Sequence, residues 1–218
     1  MKSARYQAAL QAFSRGAAPS TLSDLPEWRL SDLAGRLVEL SGQQSAAHLT
    51  AAFGLVLDAQ LCGDHAAWVT FEHSAFFPPD VAAGGVDVES LPVVRIATAL
   101  AAGRAAEHLV RSGGFGLVVI DLSSDAGDAH AEKPPAVLPV PLLTRLLGLA
   151  RTHLAAVLLL TKKSPDAASL NSLISLRADA QWCAHDGRYD VRVRALKDKR
   201  RAPGWEHVEA CRGSVGMR

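Results

Sequence analysis

The chain has 218 residues, 49% apolar and 21% charged, with a formal net charge of +1, a globular composition that argues against a global field for nucleic acid. No run of about 18 apolar residues is present, which excludes a membrane-spanning helix, and the first residues lack the apolar core of a signal peptide. Cys62, Cys183 and Cys211 are far apart and form no C-x-x-C pair, which argues against a zinc site or a disulfide framework and fits a reducing cytosol.

The length supports one substantial core with appendages. Residues 2–15 read as an amphipathic helix, with Tyr6, Ala9, Leu10 and Phe13 on one face. That face must be buried, either on its own domain or on a partner. Gly16 stops the helix, and Ala17 to Pro26 reads as a linker. Leu37, Val38 and Leu40 then form a buried strand, Gly42 a turn, and the residues from about Ala46 a helix.

Ala66 to His73 is a second strand, Pro79 to Ala83 a short helix, and Pro92 to Ala97 a third strand. Ala99 to Ser112 is an Ala-rich helix stopped at Gly113-Gly114. Phe115 to Leu122 is a continuous apolar run closed by Asp121, the pattern of a strand buried on both faces of a parallel sheet. Ser123 to Pro141 is a polar, Pro-rich loop, Leu142 to His153 a helix, and AAVLLLTKK the next buried strand. A polar turn at Ser164 to Ala168 follows. Asp179 to Ala184 and Tyr189 to Leu196 read as two edge strands joined at Asp186-Gly187. Strands alternating with helices over short connections predict an α/β fold around a mainly parallel sheet.

A strand, a glycine turn and a helix are the frame of a phosphate-binding loop, whose pattern is G-x-x-x-x-G-K-[ST]. The glycines let backbone N–H groups close on phosphates, the lysine follows the transferring phosphate, and the hydroxyl holds Mg²⁺. Here Gly42 fills the first position, but Ala47, His48 and Leu49 fill the last three. Thr50 comes one residue too late. Imidazole, with a reference pKa near 6.5, is mostly neutral at pH 7. Hydrolysis is therefore not expected, and the site is read as vestigial, with no cofactor. Glu72 and Asp121, at two other strand ends, would converge on Gly42 in a parallel sheet. The scattered histidines show no metal-binding spacing.

Between Asp190 and Arg218 eight Lys/Arg face four Asp/Glu. Lys197, Lys199, Arg200 and Arg201 make this either a weak DNA contact or a solvated end.

GRLVELSG with its loop frame, WVTFEH, VDVESLPVVRIA, GFGLVVIDL and RALKDKRRAPG resemble the RecA recombinase core in order and spacing, from about Leu33 to Pro203. The resemblance implies a RecA-like three-layer core over residues 27–203. An N-terminal helix and linker precede it (1–26) and a tail follows it (204–218), with no counterpart of the RecA C-terminal domain. It also implies a water-directing glutamate at Glu72 and a metal-side aspartate at Asp121. The loop lysine, second glycine and hydroxyl have no counterpart. The second DNA-binding loop of RecA is cut to the turn near Ser164 to Ala168.

This reduced form is similar to the RecA- and SulA-related ImuA family of SOS mutasomes. That resemblance implies a cytoplasmic, nucleoid-associated accessory protein of translesion synthesis. Its implied partners are RecA, an ImuB-type Y-family protein and an error-prone DnaE-type polymerase complex, with Tyr6, Leu10 and Phe13 as a partner face. A RecA-like ATPase that binds DNA and a SulA-like cell-division inhibitor stand as the alternatives.

Overall fold

The computed structural model describes residues 27–42, 46–72, 74, 78–123, 138–185 and 188–211. The expected N-terminal helix with Tyr6, Leu10 and Phe13, its linker to Pro26, and the Asp186-Gly187 turn lie outside the described residues.

The first described element is a single turn, α1 (Leu30–Leu33), which leads into strand β1 (Leu37–Ser41). Helix α2 (Ala47–Leu61) and strand β2 (Ala66–Phe71) follow, then the short α3 (Pro78–Ala83) and β3 (Val93–Ile96). Next come helix α4 (Ala99–Arg111), strand β4 (Leu117–Asp121), helix α5 (Val140–His153) and strand β5 (Ala156–Thr161). Three strands close the chain: β6 (Leu176–His185), β7 (Arg188–Asp198) and β8 (Glu206–Cys211). Helix α5 starts two residues before the expected Leu142. Pro141 sits in its first turn, where a missing N–H costs no helical bond.

All eight strands form one sheet in the order β3-β2-β4-β5-β1-β6-β7-β8. The pairings from β3 to β6 are parallel, and β6-β7-β8 are antiparallel. Because side chains alternate across a strand, each buried strand feeds two cores. Val38, Leu40, Trp68, Leu158 and Leu160 pack with Leu55 and Val56 of α2 on one face. Leu37, Val118, Ile120, Val157 and Leu159 pack with Leu142 and Leu146 of α5 on the other. The fold is α/β, in three layers.

The C-terminal strands differ from the expectation. β6 and β7 are longer than Asp179–Ala184 and Tyr189–Leu196, and neither is an edge. β6 pairs with β1, and β7 is covered by β8, so the sheet edges are β3 and β8. Alternation marked these segments as half-buried but carried no information on which neighbours they would find. β8 falls within residues 204–218, where no strand was expected. Its polar sequence, EHVEAC, acquires strand conformation by pairing with the free edge of β7.

The β6-β7 register slips once. Arg177 opposes Lys197 and Ala178 opposes Ala195, which leaves Leu196 as the extra residue of a β-bulge. Without the bulge, Lys197 would share the core-facing side of Val193 and Ala195. With it, Lys197 shares a face with Arg177.

Candidate functional site

Six parallel strands end at one edge of the sheet with Gly42, Glu72 and Asp121 nearby, as the parallel arrangement predicts. They share the edge but do not form one cluster. Gly42 and Asp121 leave strands that are two positions apart, roughly 10 Å at about 4.8 Å per strand, and Glu72 is one strand farther.

At β1, the Gly42 N–H donates to Thr161 O at 3.2 Å. The buried His48, in the first turn of α2, folds back against Gly42. A Cβ added to Gly42 would meet His48 Nδ1 at 2.5 Å, so this position must be glycine to admit the imidazole. Ala47 is buried in the core, and Leu49 packs against the same apolar cluster. Thr50 is already committed to the helix, its N–H donating to Ala46 O at 3.2 Å. The structure therefore puts a ring and an aliphatic side chain where a phosphate loop has a cation and a metal-binding hydroxyl.

Asp121 is buried and spends its carboxylate locally. The Ser123 hydroxyl and N–H donate to its Oδ1 at 2.6 Å and 3.0 Å, and the Thr70 hydroxyl donates to Oδ2 at 3.4 Å. Glu72 is exposed, and its backbone is held by Ile96 O and by the Arg95 guanidinium donating to Glu72 O. Among the described residues, no group of three or more His, Cys, Asp or Glu side chains is placed to hold a metal ion.

The structure also places a charged network at this edge that the sequence reading missed. Glu39, in the middle of the apolar run of β1, is fully buried on the α5-facing side. Its carboxylate takes Lys163 Nζ at 2.7 Å, the Thr161 hydroxyl at 3.2 Å and the Leu170 N–H at 2.8 Å. On the adjacent strand β6, Arg177 and Asp179 are also buried. Arg177 donates to Ser164 O at 2.7 Å, and Asp179 accepts from the Ser41 hydroxyl at 3.3 Å and from Gln181 at 2.9 Å. Burial pushes the Asp179 carboxyl above its ordinary value, against the pull of those donors and of Arg194 and Arg177. Burial likewise lowers the Lys197 ammonium, with Lys199 and Arg177 adding to the effect and Glu39 opposing it. One signal for this network was present in the sequence: a glutamate inside an otherwise apolar strand needs a buried partner.

The four basic residues proposed for DNA are all engaged within the chain. Lys197 donates to the Ser169 hydroxyl at 3.3 Å and Lys199 to Ser172 O at 2.5 Å. Arg200 donates to Ala34 O at 3.0 Å and Arg201 pairs with Asp32 at 3.0 Å. Partial burial lowers the Arg200 guanidinium to about 10. Between them, the buried Asp198 bridges Arg36 at 2.5 Å and accepts from Arg200 N–H at 2.9 Å and Trp205 Nε1 at 3.1 Å. The basic segment is thus a strap that ties β7 to the start of β1. Arg200 and Arg201 keep an exposed surface, and Lys197 is partly buried.

Residues 31–137, just under half of the chain, match the RecA N-terminal domain family. The chain is 37% identical over 106 residues to protein RecA of Clostridioides difficile, covering 44% of this chain and 30% of that protein. It is 36% identical over 106 residues to RecA of Trichodesmium erythraeum, covering 44% and 29%. For RecA of Mycobacterium tuberculosis the figures are 36% over 107 residues, covering 44% and 13%. The matched region thus spans less than a third of the length of these relatives. The fold is RecA-like.

Proposed function

We propose that this chain is a non-catalytic, RecA-like accessory protein of the ImuA type, serving DNA repair and damage-induced translesion synthesis through protein contacts. Its partners in this reading are RecA or its filament, an ImuB-type Y-family protein and, with it, an error-prone DnaE-type polymerase complex. The observation that carries the reading is the loop after β1. Its glycine leaves room for the His48 ring, and its hydroxyl position holds Leu49, which packs on the core.

Phosphoryl transfer is mostly positioning and charge stabilisation by a loop lysine, a metal and an oriented water. His48 supplies no permanent cation and Leu49 no metal ligand. Asp121 is bonded to Ser123 and Thr70. A RecA frame without this chemistry keeps its surfaces, and surfaces are what an accessory protein uses.

Titration with Mg-ATP tests the non-catalytic half of the reading. We expect no saturable binding up to about 1 mM, the upper end of ordinary KM values, and no turnover. Micromolar affinity with turnover that Glu72→Ala abolishes would reverse it. The partner half is tested by capture of RecA and of an ImuB-type protein on the immobilised full-length chain. Changing Leu10 and Phe13 to Asp should abolish capture while the described core keeps a cooperative thermal melt. Capture that survives both charges excludes that face.

A DNA contact at the basic strap is a secondary part of the reading. It would be weak, steeply salt-dependent and carried by Lys199, Arg200 and Arg201, which are exposed residues.

A further inference from the structure

A groove of about 350 Å³ opens at the opposite end of the sheet from the loop, between the end of α2 and the approach to β3. Its apolar wall is Leu57 and Leu61, and Leu61 is 78% exposed, the most exposed large apolar side chain among the described residues. Its polar wall carries Asp64 and Asp87, with Glu89 beside it. A leucine left open amid carboxylates fits a basic, amphipathic occupant.

We infer that residues 2–15 of the same chain dock in this groove in cis, placing their Leu10 and Phe13 on Leu57 and Leu61. Three observations support this occupant. Residues 1–16 carry Lys2, Arg5 and Arg15 and no Asp or Glu, which complements the acidic wall. They also carry the apolar face Tyr6, Leu10 and Phe13 at helical spacing. Finally, the described chain begins against α2, the helix that carries Leu57 and Leu61. Trp28 Nε1 donates to Ala51 O at 2.9 Å, and the Leu30 N–H donates to Asp58 Oδ2 at 2.8 Å, one turn of α2 before Leu61. The ten residues Ala17 to Pro26 can span up to about 35 Å, more than this approach requires.

The docked face is the one assigned above to a partner, so the cis contact would hide it until a partner competes. That consequence rests on the proposed function, whereas the contact itself does not.

Zero-length carbodiimide coupling on an equal mixture of ¹⁵N-labelled and unlabelled full-length protein tests the contact without any partner. Amide links from Lys2 or the N-terminal amine to Asp64, Asp87 or Glu89 should appear within single isotopic species. They should disappear in Leu61→Arg, a change at an exposed position whose melt serves as the folding control. In the same variant, tryptic cleavage after Arg15 should speed up about tenfold, equivalent to about 1.4 kcal/mol of lost docking. Mixed labelled–unlabelled links making up about half of the total, the 1:2:1 pattern of random pairing, would show docking on a second copy and overturn the cis contact. The absence of links, or links and cleavage rates unchanged by Leu61→Arg, would overturn the groove as the site. Neither result bears on capture of RecA, so the two readings fail separately.

Discussion

Replacing Asp198 with alanine should cost about 3–5 kcal/mol of folding stability, the loss that follows when one member of a buried ion pair is removed. Arg36 and Asp198 side chains are 3% and 1% exposed. Without the carboxylate, the Arg36 guanidinium keeps two bonds to Ser175, from Nε to Oγ and from Nη2 to O, both 3.0 Å, but no countercharge. The Arg200 N–H and Trp205 Nε1 lose their acceptor as well. Gly35, with φ +70, is the left-handed corner that lets the chain turn into β1 beside the Arg200 guanidinium. The strap and the corner should therefore loosen together.

Urea unfolding measures the loss, and a midpoint unchanged by Asp198→Ala would refute this account. Joint replacement of Arg36 and Asp198 by Met and Leu should recover much of the loss, because it removes both buried charges. The same pair sets an acid limit. Burial alone would raise the Asp198 carboxyl, but the donors from Arg200, Arg36 and Trp205 outweigh it and hold it below the ordinary aspartate value. Its stabilising contribution is therefore complete above the unfolded-state value, near 3.9, and is lost as pH falls through the lower folded value. Asp198→Asn should flatten that acid limb of the stability profile.

The second large effect is expected at Glu39. Glu39→Ala should cost about 3–5 kcal/mol, because Lys163, Arg177 and Lys197 would then share a poorly solvated edge without their central carboxylate. Glu39 also accepts the Leu170 N–H, which pins the segment between β5 and β6 over the sheet. Hydrogen exchange should therefore show the Leu170 amide losing protection well before the amides of β1. Equal loss at both would mean that Glu39 supports the sheet globally and does not pin the crossing. Glu39→Gln, which keeps an acceptor, should retain part of that protection.

These two sites mark the boundary of what could be read from the chain alone. The parallel sheet, the strand-turn-helix after Leu37 and the buried strand before Asp121 were legible, because apolar runs and glycine punctuation are local signals. That no second glycine, lysine or hydroxyl stands at the phosphate-loop spacing was legible too, since Ala47, His48 and Leu49 occupy those positions. The N-terminal face of Tyr6, Leu10 and Phe13 was legible as a pattern, though not its destination.

Sequence by itself thus determined the α/β class, the RecA-like order of its blocks and the loss of the phosphate-loop cation and hydroxyl. Tertiary structure decided the rest. Arg36 and Asp198 are 162 residues apart in the chain and 2.5 Å apart in space, a pairing no local window can display. The strand β8 exists because β7 offered an edge, and Lys197 turns toward Arg177 because one extra residue, Leu196, shifts the register. The basic segment, read as either a weak DNA contact or a solvated end, is tied down as a strap because burial and partner choice depend on which strands meet. A charge in a sequence has no partner until the fold gives it one.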